Sequence, residues 1–153
     1  MDIDRIVFTV PGTPVGKGRA RSVPLMRDGA PVIGKGNRPV VKHYTPAKTV
    51  SYENLVKFYA QQAMQGRAPL QCAVAVVLKS FVTPPASWSK RKKERALAGE
   101  IFPEVKPDFD NIQKIMCDAV NKIVWDDDKR VCDVVFRKRY DSVSRVVMGV
   151  KPL

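Results

Sequence analysis

Histidine is nearly missing from this chain: His43 is the only one in 153 residues. A lone imidazole is a poor basis for a histidine-rich metal site or a Ser–His–Asp relay. Cysteine is scarce as well. Cys72, Cys117 and Cys132 share no CxxC spacing and each sits in an apolar stretch, so they read as buried free thiols of a reducing compartment, not a disulfide frame or zinc site. No apolar run approaches the roughly 20 residues that a membrane-spanning helix requires. The opening Met1-Asp2-Ile3-Asp4 lacks the basic-then-apolar layout of a secretory leader. Together these absences lead us to expect a cytoplasmic protein with no membrane partner.

Acids are also few, 15 against 27 Lys and Arg, for a formal charge of +12. An excess of this size costs self-repulsion and points to a polyanionic partner, with plain solubility as the competing explanation. The distribution favours the partner. The stretch from Glu104 to Asp133 holds 8 of the 15 acids, while basic residues dominate elsewhere. A basic body with one acidic focus suits a protein that binds phosphates and also holds a cation.

With 44% hydrophobic residues the chain can bury a core, and its length suits one domain over 1–153. Ile3 to Val10 reads as a strand stopped by Pro11-Gly12. Residues 11–50 hold six Gly, six Pro and eight Lys or Arg against the single acid Asp28, which predicts a long basic loop with a short hairpin near Val40 to Tyr44. Thr49 or Ser51 is the expected cap of a helix to about Met64, with Leu55, Phe58, Tyr59 and Gln62 at helical spacing. Cys72 to Val82 is a second, central strand. Ser87 or Ser89 caps a helix from Lys90 to Ala98, closed by Gly99, whose Lys90, Arg91, Lys92 and Lys93 form either a solvated face or a phosphate-contacting one.

The clearest helix follows. Ile112, Ile115, Met116, Ala119, Val120 and Ile123 recur at i, i+3, i+4, i+7, i+8 and i+11, a buried stripe that predicts a helix to residue 123. Asp110, Lys114 and Asp118 share the opposite face. Val131 to Tyr140 and Val143 to Val150 read as two strands, plausibly a hairpin about Asp141-Ser142. The order β-α-β-α-α-β-β predicts an α/β (α+β) fold with a single mixed sheet packed by helices.

The chemistry should lie between Asp108 and Asp128. Asp108 and Asp110 open the helix, where acids commonly cap the end and complement its dipole. The triplet Asp126-Asp127-Asp128 shifts the balance, because adjacent like charges after apolar Val124-Trp125 call for a cation or a basic partner. Oxygen ligands of this kind suit Mg²⁺ or Mn²⁺. A helix over 110–123 is about 20 Å long, so Asp128 meets the helix start only if the chain folds back along it or the helix ends early, near Ala119. Two competing patterns fail. A calcium loop beginning at Asp108 would need Gly and Glu where Gln113 and Ala119 stand, and no GxxxxGK[ST] loop is present.

Asp108-Phe109-Asp110-Asn111-Ile112-Gln113-Lys114, Asp118-Ala119 and Trp125-Asp126-Asp127-Asp128 with Val131 resemble the RusA family of Holliday junction resolvases, whose pattern is DxDNxxK followed by W-x-D-D-x-x-V. Val10-Pro11-Gly12-x-Pro14, Lys17-Gly18-Arg19-Ala20-Arg21 and Tyr44-Thr45-Pro46 are similar to that family's N-terminal part. The resemblance implies a homodimeric, Mg²⁺-dependent endodeoxyribonuclease, with Mn²⁺ able to substitute, that resolves four-way junctions by paired nicks in recombination and repair. It implies Asp108, Asp110 and Asp128 as metal-binding catalytic carboxylates, Asp127 as a reserve ligand and Lys114 as the charged catalytic helper. Lys17, Arg19, Arg21 and Lys90 to Lys93 are the expected DNA contacts. The rival readings are a non-catalytic nucleic-acid-binding module, in which the acids merely cap a helix, and a nuclease of other branched DNA.

Overall fold

The computed structural model describes residues 5–153, so the start of the first expected strand, at Ile3, lies outside the described residues. Strand β1 (Ile6–Pro11) alternates strictly, with Ile6, Phe8 and Val10 turned into the core and Val7 turned out. Strands β6 (Val74–Val82), β7 (Val131–Tyr140) and β8 (Arg145–Pro152) complete a mixed sheet in the order β1-β8-β6-β7, with β6 and β7 parallel and the other neighbours antiparallel. Helices α1 (Ala47–Met64) and α3 (Phe109–Val120) cover one face of the sheet, and α2 (Lys90–Leu97) packs Ala96 against Val82 and Tyr140 at one end. The expected mixed α+β architecture is therefore what forms.

The last two strands correct the sequence reading. β7 and β8 do not form a hairpin; β8 inserts between β1 and β6. The link over 141–144 passes across the end of β6, where Asp141 N–H donates to the Val82 carbonyl at 3.0 Å and Thr83 N–H to Ser144 Oγ at 3.1 Å. Skipping one strand means crossing about 10 Å, which four residues can span. The reward is burial: Val146, Met148 and Val150 enter the core, which an edge position would not provide.

The 11–50 segment is not a structureless loop. Strand β2 (Arg21–Pro24) pairs antiparallel with β5 (Val41–Tyr44), and the short β3 (Met26–Arg27) pairs with β4 (Ala30–Pro31) nested between them. All four strands are exposed, so this is a projecting arm that carries Arg21, Arg27, Lys35, Arg38 and Lys42.

Helix α1 starts two residues before the expected cap. The Pro46 carbonyl receives the N–H groups of Thr49 and Val50, which frees the buried Thr49 hydroxyl to accept from Gly18 N–H at 3.2 Å. Its buried stripe is Thr49, Tyr52, Val56, Ala60 and Met64; Leu55 and Tyr59 pack beside it, while Phe58 is exposed. The cysteines also differ from expectation. All three are free, but Cys72 and Cys132 are exposed and Cys117 is half-buried. Cys72 precedes β6 and Cys132 lies on edge strand β7, so neither apolar neighbourhood closes over its thiol.

Candidate active site

Helix α3 buries Ile112, Ile115, Met116, Ala119 and Val120, the expected stripe, and leaves Asp110, Lys114 and Asp118 on its outer face. It stops at Val120, three residues short of the expected end. Asn121 takes an extended backbone and Lys122 a left-handed one (φ 68°), and Lys122 N–H donates to the Trp125 carbonyl at 2.8 Å. The reversal is anchored by Trp125, fully buried, and by exchange with Leu70, whose N–H donates to the Val124 carbonyl while its own carbonyl accepts from Asp126 N–H. Ile123, expected as helical core, belongs to this turn. A helix of 12 residues is about 18 Å long, and ending it here sends the chain back along its own outer face.

Asp128 benefits directly. Phe109, Asp110, Gln113, Lys114, Cys117, Asp118 and Asp128 line one open depression of about 380 Å³. Burial, then the charges of Asp118 and Asp128, push the Cys117 thiol up to about 12. The three neighbouring acids of the triplet have separate duties. Asp126 accepts from Arg130 Nε at 2.8 Å and from a terminal guanidinium nitrogen at 2.9 Å, a bond that holds it below its ordinary value. Asp127 caps the 3₁₀ turn over Asp128–Arg130 by accepting from Lys129 N–H at 3.0 Å, which likewise lowers it. Asp128 alone of the three lines the depression.

Asp108 stands differently. It occupies the N-cap position of α3 with extended backbone, yet its carboxylate makes no capping hydrogen bond. Helix capping therefore does not account for it. It lies off the depression, on the side of Lys138, whose ammonium donates to the carbonyls of Val105 and Pro107. Burial lowers Lys138 from its ordinary value, against the opposing charge of Asp108.

A strap of chain flanks the other side of Asp110. Lys17, Gly18, Arg19, Ala20, Asp110, Asn111 and Lys114 line a second depression of about 420 Å³, so Asp110 and Lys114 form the ridge between two hollows. Glycine makes the strap fit. A Cβ on Gly16 would stand 2.9 Å from the Pro107 Cβ and 3.0 Å from the Asn111 Cβ, and one on Gly18 would stand 2.7 Å from Thr49 Oγ1. The backbone of Lys17 between them donates to the Asn111 carbonyl at 2.9 Å. Its ammonium bridges Glu53 of α1 and Asp118 of α3, the latter at 3.0 Å. Burial acts to lower the Lys17 pKa, but the bonds to Glu53 and Asp118 with their charges outweigh it and leave the group raised.

Lys17, expected as a free phosphate contact, is thus a tie between the strap and two helices. Arg19 lines the second hollow beside Asp110, and Arg21 is exposed at the base of the arm. Lys90, Arg91, Lys92 and Lys93 lie on α2 outside both hollows; Lys92 stacks over Trp88 at 4.0 Å and Lys93 donates to the Ala86 carbonyl. Glu53 went unnoticed in the sequence, since a single acid on a helix read from its apolar spacing gives no hint of a partner 36 residues away.

Among the described residues, no three His, Cys, Asp or Glu side chains are drawn together as a metal-binding cluster. The carboxylates of Asp110, Asp118 and Asp128 nonetheless line one hollow with Gln113, Lys114 and Cys117, and carboxylate oxygens are donors that fit a hard divalent cation. No helix among those residues is long and apolar enough to cross a membrane.

The sequence model of the family described as Endodeoxyribonuclease RusA matches residues 11–151. A Bacillus subtilis (strain 168) protein named Uncharacterized protein YqaN is 32% identical over 151 residues, which cover 97% of each chain.

Proposed function

We propose that this chain, which belongs to the endodeoxyribonuclease RusA family, is a Mg²⁺-dependent nuclease that resolves four-way DNA junctions by paired phosphodiester hydrolysis. The observation that carries this reading is the meeting of Asp110, Lys114 and Asp128 around one hollow, although 18 residues separate the two acids. A mere helix cap would not require the reversal at 121–125 to present a further carboxylate along the helix face, nor leave the Asp108 side chain without a capping bond.

Asp110 and Asp128, joined by Asp108 from the start of α3, would hold Mg²⁺ (Mn²⁺ substituting), and the chemistry supplied by the bound ion is polarisation of the scissile phosphate and acidification of water. The protein's own groups do the rest. Lys114 projects from the ridge into both hollows, where its fixed positive charge can offset the negative charge that builds on the phosphate as the bond breaks. Arg19 offers a planar fork for a phosphate oxygen in the strap hollow. Lys17 contributes by holding the strap, and so Arg19, in place. Asp127, occupied as a turn cap, is the reserve oxygen donor, and the basic arm and α2 extend the DNA surface.

A four-way junction has two equivalent strands to cut, and a two-fold homodimer with two such sites matches it by symmetry. We place the enzyme in the cytoplasm, acting in recombination and repair. Incubating the protein with a labelled synthetic four-way junction, a flap and a linear duplex, with and without Mg²⁺, tests the reading. Paired nicks confined to the junction and to the Mg²⁺ lanes are expected; cutting of the flap alone would make it a nuclease of other branched DNA, and binding without cutting would reduce it to a binding module.

A further inference from the structure

The helices cover only one face of the sheet. On β6 the even-numbered Val74, Val76, Leu78, Ser80 and Val82 are buried, while Val77, Lys79 and Phe81 emerge on the other face, where Ala75 is buried. There the strand registers build an ordered pattern. Arg139, Phe81 and Arg145 form one row across β7, β6 and β8; Arg137, Lys79 and Val147 form the next; Val135, Val77 and Gly149 form a third. Four cations thus surround one half-buried phenyl ring on a face that α1, α2 and α3 leave open.

The electrostatics of this patch are unfavourable for the protein alone. Lys79 and Arg137 stand directly opposite each other in a parallel pair, and like charges in that relation destabilise a sheet. Among the described residues neither has an ion-pair partner, nor does Arg139. Arg145 is bound to Asp141 at 2.8 Å and lies over the Phe81 ring at 4.2 Å, and Arg139 lies over Phe102 at 4.7 Å, so aromatic contacts hold both guanidinium groups against the surface. Asp133 emerges on the same face but two rows beyond Arg137, beside Ala75. Lys79, Phe81, Arg137 and Arg139 line a shallow hollow of about 400 Å³. A second copy of the chain would bring the same cations face to face; a polyanion neutralises them.

We propose that this open sheet face is a second nucleic-acid-binding surface, taking the phosphodiester backbone across Lys79, Arg137 and Arg139. It lies on the opposite side of the sheet from α3, so it holds a different segment of backbone from the one at the acidic hollow. The ligand class rests on the nucleic-acid reading above, but the test is of binding alone and is independent of whether the protein cuts.

The full-length protein is titrated in EDTA with a labelled four-way junction, a linear duplex and a single strand, over a range of salt, beside the double variant Lys79→Gln/Arg137→Gln and the single variant Lys79→Glu. The double variant should bind more weakly, and its slope of log affinity against log salt should shrink by roughly one per lost contact. A loss on duplex and junction identifies duplex arms as the occupant, and a loss on the single strand alone identifies unpaired backbone beside Phe81; either supports the surface. Lys79→Glu should melt no lower than wild type, because it replaces repulsion opposite Arg137 with attraction, while its DNA binding falls. Unchanged affinity and slope in variants that melt normally would overturn the proposal. So would a change in sedimentation mass with no change in DNA binding, which would make the face a contact between copies.

Discussion

Replacing Lys17 with Ala should destabilise the protein through two helices at once. The side chains of Lys17 and Glu53 are 24% and 17% exposed, and Asp118 is 38% exposed. Fully exposed pairs contribute about 0–1 kcal/mol, whereas removing one partner of a buried pair costs about 3–5 kcal/mol. The Glu53 contact is nearer the buried limit and the Asp118 contact nearer the exposed one, so after allowance for solvent screening the loss should be about 2 kcal/mol. At about 2–4 °C per kcal/mol for a chain of this size, the melting midpoint should fall by about 4–8 °C. The raised pKa of Lys17 sets the pH dependence: its contribution is fully present below the ordinary value of 10.5 and is lost only as pH rises through the still higher folded-state value. The gap between wild type and variant should therefore be constant from neutral pH to about pH 9 and narrow above 10.5. Urea titrations of wild type, Lys17→Ala, Glu53→Gln and the double variant complete the cycle, in which the double variant should lose less than the sum of the singles. Strict additivity, or a loss under about 0.5 kcal/mol for Lys17→Ala, would refute the tie between strap and helices.

Trp125→Ala should cost about 3–5 kcal/mol in urea, because it empties a fully buried site at the reversal after α3. Trp125→Phe should cost far less, since among the described residues the indole N–H has no hydrogen-bond partner to lose; equal losses would contradict that packing. Thiol titration of the folded protein near pH 8 should give two fast groups, Cys72 and Cys132, and one slow group, Cys117, whose thiol is held up to about 12; three fast groups would mean that the Cys117 thiol is not half-buried in the fold. Arg19→Ala with Arg21→Ala should lower junction affinity and reduce the salt slope by roughly two, and an unchanged slope would remove the strap and arm from the DNA surface.

The sequence was most informative where periodicity is long and one-sided. The stripe Ile112, Ile115, Met116, Ala119 and Val120 marked both the buried face of α3 and, by exclusion, the face that carries Asp110, Lys114 and Asp118. It could not mark the helix end, because Ile123 continues the apolar pattern while a left-handed Lys122 and a buried Trp125 end it by tertiary packing. The nearness of Asp128 to Asp110 depends on that end and so was left open by spacing alone. β8 illustrates the same limit: two apolar strands joined by a short polar link suit a hairpin and a skipped strand equally well, and only the demand to bury Val146, Met148 and Val150 decides. The division of labour among Asp126, Asp127 and Asp128 was equally invisible, since it is set by Arg130 and by the N–H of Lys129. Glycine carried a signal that was legible only in part. Gly16 and Gly18 read only as part of a long basic loop, whereas each marks a point where the strap lies against a helix.

If the carboxylates around α3 perform metal-assisted hydrolysis, Asp110→Asn should separate cutting from binding. The amide keeps the shape of the side chain but removes a ligand charge and its repulsion toward phosphate. Wild type and variant are compared on one labelled four-way junction, by nicking in Mg²⁺ and by gel shift in EDTA. Cleavage by the variant should be abolished while its junction binding stays equal to or tighter than that of wild type. Near-normal Mg²⁺-dependent cleavage by Asp110→Asn would contradict that role of the carboxylates.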